Sequence, residues 1–188
     1  MSEFSDSYHL RTDDTAKGRA LLRRAGLEGY VHPAAQGWVS ICPEGMPFEP
    51  NMQLIHANTG VLVHYVFGEH HAWGCEIYQG PELITRHEVS WDPELAVLHT
   101  LSPSAFDAVA QTALAQLPQA DLQRLLRPTT LEDIHTFKPA SVFAQAIGLP
   151  HYAWRAFDYL WREQELGQPL PDGAQLVSKL IKIHAALT

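Results

Sequence analysis

Residues 60–91 read GVLVHYVFGEHHAWGCEIYQGPELITRHEVSW, and the way this stretch pairs with itself decides the fold. Its β-branched and aromatic residues are broken by glycine-containing clusters at 68–71 and 79–82, which predicts three antiparallel strands joined by two tight turns. A two- or four-residue first turn pairs Val66 with Trp73, His64 with Cys75 and Leu62 with Ile77. The second turn pairs Tyr78 with Leu83, Cys75 with Arg86 and Gly74 with His87. Strand side chains alternate, so this register puts Val61, Val63, Tyr65, Phe67, Tyr78, Leu83, Val89 and Trp91 on a core face interrupted by Glu76, Thr85 and His87. The other face carries Leu62, Val66, Trp73, Ile77 and Ile84, with His64, Cys75 and Arg86 in a row across it. Both faces are largely apolar and call for cover. A three-residue first turn with a bulge reverses the whole sorting.

Toward the N-terminus, residues 8–11 suggest a short strand, and Asp13, Asp14 and Thr15 can cap a helix through 17–26 that Gly26 closes in the left-handed conformation. Residues 29–58 are cut by Gly and Pro into short pieces, of which 38–42 (WVSIC) is the convincing strand. Residues 46–60 fit either a helical turn or a strand. Beyond Pro93 the pattern turns helical. Ser102 and Pro103 open a helix whose apolar stripe runs from Phe106 to Leu117, and Leu122, Leu125 and Leu126 mark a second. Thr130 caps a third, with Asp133 where a capping box puts Glu. A short helix over 141–147 stops at Gly148, and another spans 151–167, where Tyr152, Trp154 and Ala156 also alternate as in a strand but Arg162 to Leu166 favours helix. A last one starts near Asp172 with Leu176, Val177, Leu180, Ile181, His184 and Leu187.

These elements predict one α+β domain over 1–188, with a sheet-rich half (1–92) and a helical half (93–188). Its antiparallel sheet has four or five strands, packed against helices mainly from the C-terminal half together with the N-terminal helix. Hydrophobic residues at 46% and charged residues at 18% place the chain among globular proteins rather than disordered ones. A net charge of -8, with basic residues scattered apart from Arg23 and Arg24, argues against nucleic acid as a partner. Cys42 and Cys75 form neither a zinc-knuckle nor a redox spacing. The first residues lack the basic and apolar regions of a signal peptide, and no run is long enough for a membrane span, so the expected location is cytoplasmic.

Eleven histidines invite a metal reading. His64, Glu69, His70, His71, Cys75 and His87 cluster around the first turn, and imidazole, thiolate and carboxylate are the ligands that zinc prefers. Against it, strand neighbours point to opposite faces and no HExxH signature occurs; solvated turn histidines and hydrogen-bonded buried ones account for the same residues. Cys75 opposite His64 has the composition of a thiol nucleophile and its base, although a thiol between Trp73 and Ile77 also suits inert core. No GxSxG, GxGxxG or P-loop is present. In 151–167, helical spacing puts Trp154, Phe157 and Trp161 on one face, which serves either as core or as a partner-binding surface.

The order of a GW-x-S strand at 37–42, the hairpin VLVHYVF with WGCEIYQGPELI, and a helical half containing FAQAIGLPHYAW resembles small bacterial proteins of unassigned function. The resemblance covers the middle and late parts of the chain and rests on turns. It implies no activity and no functional residues. The function expected is a non-enzymatic cytoplasmic interaction or regulatory module, of immunity or accessory type, that binds another protein or itself through a sheet edge or the aromatic helix. The alternative is a metal-dependent hydrolase, with zinc as its cofactor, built on the hairpin histidines.

Overall fold

The computed structural model describes residues 3–179. Eight strands form one antiparallel sheet in the order β7-β6-β5-β4-β1-β3-β2-β8. They are β1 (Phe4–Arg11), β2 (Gly29–Val31), β3 (Trp38–Pro43), β4 (Val61–Gly68), β5 (Ala72–Gln79), β6 (Glu82–Ser90), β7 (Ala96–His99) and β8 (Gln175–Val177). The sheet is therefore larger than the four or five strands that the sequence suggests. β2, β7 and β8 are three or four residues long, too short to show a period of two. β1 is a full central strand between β3 and β4, where alternation is masked because serines and a histidine occupy its buried positions.

The helices are α1 (Thr15–Ala25), α2 (Met52–Ala57), α3 (Pro103–Ala110), α4 (Gln119–Leu126), α5 (Pro139–Ala146) and α6 (Phe157–Glu165). They are spread along the chain and cover both faces of the sheet. α1 and α2 seal one face through Leu21, Leu22, Leu54 and Ile55 against Tyr8, Leu10, Val39, Ile41 and Leu62. The later helices seal the other, where Phe106, Leu125, Phe143 and Ala144 meet Trp38, Val63, Tyr65, Trp73, Cys75 and Ile77. Each large apolar side chain removed from water contributes about 1.5–3 kcal/mol, so these two layers carry the fold.

The first turn of the hairpin holds three residues, Glu69, His70 and His71, and closes on the pair Gly68 and Ala72. His64 therefore pairs with Glu76, and Tyr65 with Cys75, which corrects the pairing of His64 with Cys75. The second turn pairs Tyr78 with Leu83 as expected, but a bulge then shifts the register so that Cys75 faces His87 and Glu76 faces Arg86. The side chains of β5 are thereby exchanged between faces. Trp73, Cys75 and Ile77 join the helical core, and Glu76 leaves it.

Local signals at helix ends hold where a side chain or glycine fixes them. Asp14 caps α1 by accepting from the Ala16 N–H at 2.9 Å, and Gly26 closes it at φ 70°. Asn51 caps α2 by accepting from Leu54, which makes the ambiguous 46–60 segment helical at its centre. Thr130 and Asp133 form the reciprocal box: the Asp133 N–H donates to Thr130 Oγ1 at 3.1 Å, and the Thr130 N–H to Asp133 Oδ2 at 3.2 Å. α3 stops earlier than its stripe predicts, because Asp107 accepts from the N–H groups of Leu114 and Ala115 and folds the chain into a tight turn. Residues 151–156 are not helical, with Trp154 at φ 52°, so Trp154 does not share a helical face with Phe157 and Trp161. The helix expected from Asp172 is replaced by a single turn and β8; its Leu180, Ile181, His184 and Leu187 lie outside the described residues. Among the described residues no helix is long and apolar enough to cross a membrane.

α1 sits close to the sheet because Gly18 has no side chain: a Cβ there would lie 2.6 Å from Val39 Cγ1 and 3.1 Å from Val31 Cγ1. Both neighbours are β-branched and stiff. Gly18→Val is predicted to cost about 1–3 kcal/mol by overpacking, read as a lower urea midpoint at an unchanged m-value.

Candidate functional site

α1 and α2 cover only part of their face of the sheet. Over β4, β5 and β6 the same face is open and forms a groove of about 540 Å³. Gly74 has no side chain to fill its floor between Val66 and Glu88, its paired neighbours in β4 and β6. Phe48 and Pro50, from the loop before α2, form one wall. One row of side chains crosses the strands beside this floor: Tyr8, His64, Glu76 and Arg86 occupy paired positions on β1, β4, β5 and β6.

His64 is the centre of that row. Its Nε2 lies 2.9 Å from Asp6 Oδ1 and its Nδ1 lies 3.7 Å from Glu76 Oε2, while Tyr8 stacks on the ring at 4.3 Å between centroids. The side chain is 3% exposed. Burial by itself disfavours the imidazolium, but contact with Asp6 and Glu76 and their charges outweigh it and hold the His64 pKa above its ordinary value. Glu76 is shifted the other way: burial raises it, and His64, the Tyr78 hydroxyl donating at 2.5 Å, and Arg86 together bring it below the usual carboxylate range. His64 is thus a buried imidazole clamped between two carboxylates that favour its protonated form. With both ring nitrogens engaged, His64 offers no free lone pair to serve as a general base.

Asp6 also holds the groove wall. Its Oδ2 accepts from the Phe48 N–H at 2.8 Å, which fixes a residue in the left-handed region at φ 68°. Phe48 begins an aromatic ledge that leads away from the groove: Phe48 to Phe4 is 5.6 Å, Phe4 to Tyr159 4.4 Å, and Tyr159 to Trp154 5.6 Å. Phe48 and Trp154 are 47% and 42% exposed, and Trp161 on α6 is 49% exposed. Phe157 instead turns inward against Tyr30.

The remaining hairpin residues fall into other environments. Cys75 and His87 lie on the opposite, helical face. Burial pushes the Cys75 thiol far up and the His87 imidazole down to about 4, and His87 packs against Trp73 with neither ring nitrogen hydrogen-bonded among the described residues. Glu69, His70 and His71 are exposed on the turn, where His71 Nδ1 meets Asp92 at 2.8 Å and His70 lies 3.8 Å from Glu69. Among the described residues, the cluster of potential metal donors within 4.8 Å of one another uses none of these six. The sequence reading also misses Asp6, Tyr8, Phe48 and Glu88 as site residues. Asp6 and Tyr8 share a face of β1, but the polar residues at its buried positions hide that alternation.

No family model, no curated protein and no solved structure matches the chain. The geometry alone therefore sets the chemistry of the groove, and the clamp gives it a pH signature. A raised His64 pKa contributes stability that is complete below the unfolded value near 6.5 and is lost as pH rises through the folded pKa. A lowered Glu76 pKa contributes stability present above its ordinary value of 4.5 and lost as pH falls through the folded pKa. Urea midpoints measured from pH 5 upward are predicted to fall on the alkaline side in the wild type, and His64→Gln is predicted to remove that slope while lowering stability at pH 6.

Proposed function

We propose that this chain is a non-enzymatic interaction module of the immunity or accessory type, which binds a basic protein partner across the groove and the aromatic ledge. The observation that carries this reading is the continuity of the open sheet face with exposed Phe48 and Trp154. Large aromatic side chains exposed beside a concave polar floor match the anatomy of interface hot spots. The groove supplies Arg86 and Glu88 as exposed charges and a backbone-lined floor at Gly74. A net charge of -8 favours encounter with a cationic partner and disfavours phosphate backbones.

The sheet edges suit a partner less well. β7 and β8 are four and three residues long, and short edge strands offer few hydrogen bonds for strand addition. Trp154 and Trp161 are thus the part of the aromatic segment available for contact, and Phe157 belongs to the core.

Photo-crosslinking in the native host tests this. A photoreactive residue at position 86 or 154 is expected to capture the same basic protein, and a residue at exposed position 23 on α1 is not. Phe48→Ala and Trp154→Ala are each predicted to weaken that complex by about ten- to thirtyfold, the effect of removing a hot-spot aromatic worth roughly 1.4–2 kcal/mol. Capture that is identical from all three positions, or a complex insensitive to both substitutions, would reject the reading.

A further inference from the structure

A second cluster lies on the opposite face of the sheet, away from the groove. His32 follows β2, its backbone N–H donating to Ser40 O at 2.9 Å, and its side chain is fully buried with neither ring nitrogen hydrogen-bonded among the described residues. His151, which follows Pro150 in the loop before α6, stacks on it at 4.6 Å between centroids and an interplanar angle of 22°. Asp172, in the turn that leads into β8, lies 3.4 Å from His151 Nδ1. One donor atom from each of the three residues falls within 4.8 Å of the others.

We propose that His32, His151 and Asp172 form a binding site for a divalent transition-metal ion of the zinc class. Two imidazoles and a carboxylate are a ligand set for zinc, and three protein ligands leave a fourth position for solvent on the exposed Asp172 side. A buried imidazole with two idle nitrogens is costly in a folded protein, since buried polar atoms are nearly always paired. His87 is equally unpartnered, but among the described residues no group of three donors includes it, whereas His32 faces two. Burial also keeps His32 far on the neutral side, at about 3, so its lone pair is available at neutral pH.

The geometry needs a modest contraction, because ligands about 2 Å from an ion lie closer together than 4.8 Å. The two residues free to move are the loop residues: His151 is half-buried and Asp172 exposed, whereas His32 is held by the sheet. Arg155 is the competitor. Its guanidinium pairs with the same Asp172 Oδ2 that faces His151, so an ion must displace it from that oxygen.

The test uses the full chain, stripped with chelator and titrated with Zn²⁺ and, for spectroscopy, Co²⁺. Binding of one equivalent is expected, with ligand-field absorption from Co²⁺ and a rise in melting temperature on the order of 5–10 °C at a hundredfold excess over Kd. His151→Ala and Asp172→Asn, both at loop positions and the second isosteric, are expected to weaken binding at least tenfold with an unchanged circular dichroism spectrum. Arg155→Gln is expected to tighten it, and a double change of the exposed turn, His70→Ala with His71→Ala, to leave it as it is. No binding by the wild type, binding untouched by Asp172→Asn, or binding abolished by the His70 and His71 changes would each overturn the site.

Discussion

A strand can present each side chain to only two faces, so a turn one residue longer or shorter exchanges everything that follows it. Here the turn of Glu69, His70 and His71 has an odd count, and β5 is set by it. Trp73, Cys75 and Ile77 go to the helical side, where α3, α4 and α5 bury them, and Glu76 comes to lie beside His64. With an even count, Glu76 would enter an apolar layer and Trp73 would stand in the groove. An unpaired carboxylate in such a layer costs several kcal/mol, which is the physical reason the odd turn prevails. The bulge near the second turn then keeps β6 in step, bringing Arg86 to the charged row and His87 to the core.

The two faces of this sheet are consequently unlike. One is covered by the helices of the second half, with a pocket of about 210 Å³ left beside Tyr65, Phe67 and Trp73. The other is sealed by α1 and α2 over β1, β2, β3 and the ends of β4 and β5 that carry Leu62 and Tyr78, and then opens. An uncovered sheet face is stable in water when its side chains are polar or when something else covers it. His64, Glu76, Arg86 and Glu88 meet the first condition here. Phe48 and Trp154 do not, and they are the residues for which a partner gives a physical reason.

Much of this is legible in the sequence and some of it is not, for identifiable reasons. Helix boundaries at Asp14, Gly26, Gly148 and the Thr130 and Asp133 box are local, because the capping group and its target are within a few residues of each other. Strand content in 60–91 is equally local. Register is not, since a loop of two, three or four residues fits the same letters around Glu69 and His70. β2 and β8 exist only through pairing between residues far apart in the chain, Tyr30 with Leu176 among them. The candidate site fails to show for the same reason: Asp6, His64 and Phe48 meet through three separate segments, and His32, His151 and Asp172 through three more. The abundance of histidine is visible in the composition, but not which of them are brought together.

Asp6 links these regions mechanically. Its carboxylate holds His64 through one oxygen and the Phe48 N–H through the other, and its own N–H donates to Arg155 O at 2.7 Å. The loop that carries His151, Trp154 and Arg155 is therefore bonded to the strand that carries the clamp. Trp154 lies between the two groups that this loop presents to the rest of the molecule, His151 on the sheet and Arg155 at Asp172. An ion held by His32, His151 and Asp172 would draw the loop toward β2 and release Arg155 from its partner, altering the backbone on both sides of Trp154. The ledge would move with it, since Trp154 is linked to Phe48 through the rings of Tyr159 and Phe4. If the proposed ion and partner both bind, occupancy of one face of the sheet and the shape of the ledge on the other would be coupled through β1 and α6, with a sign set by whether the partner fits the ledge with Arg155 paired or free.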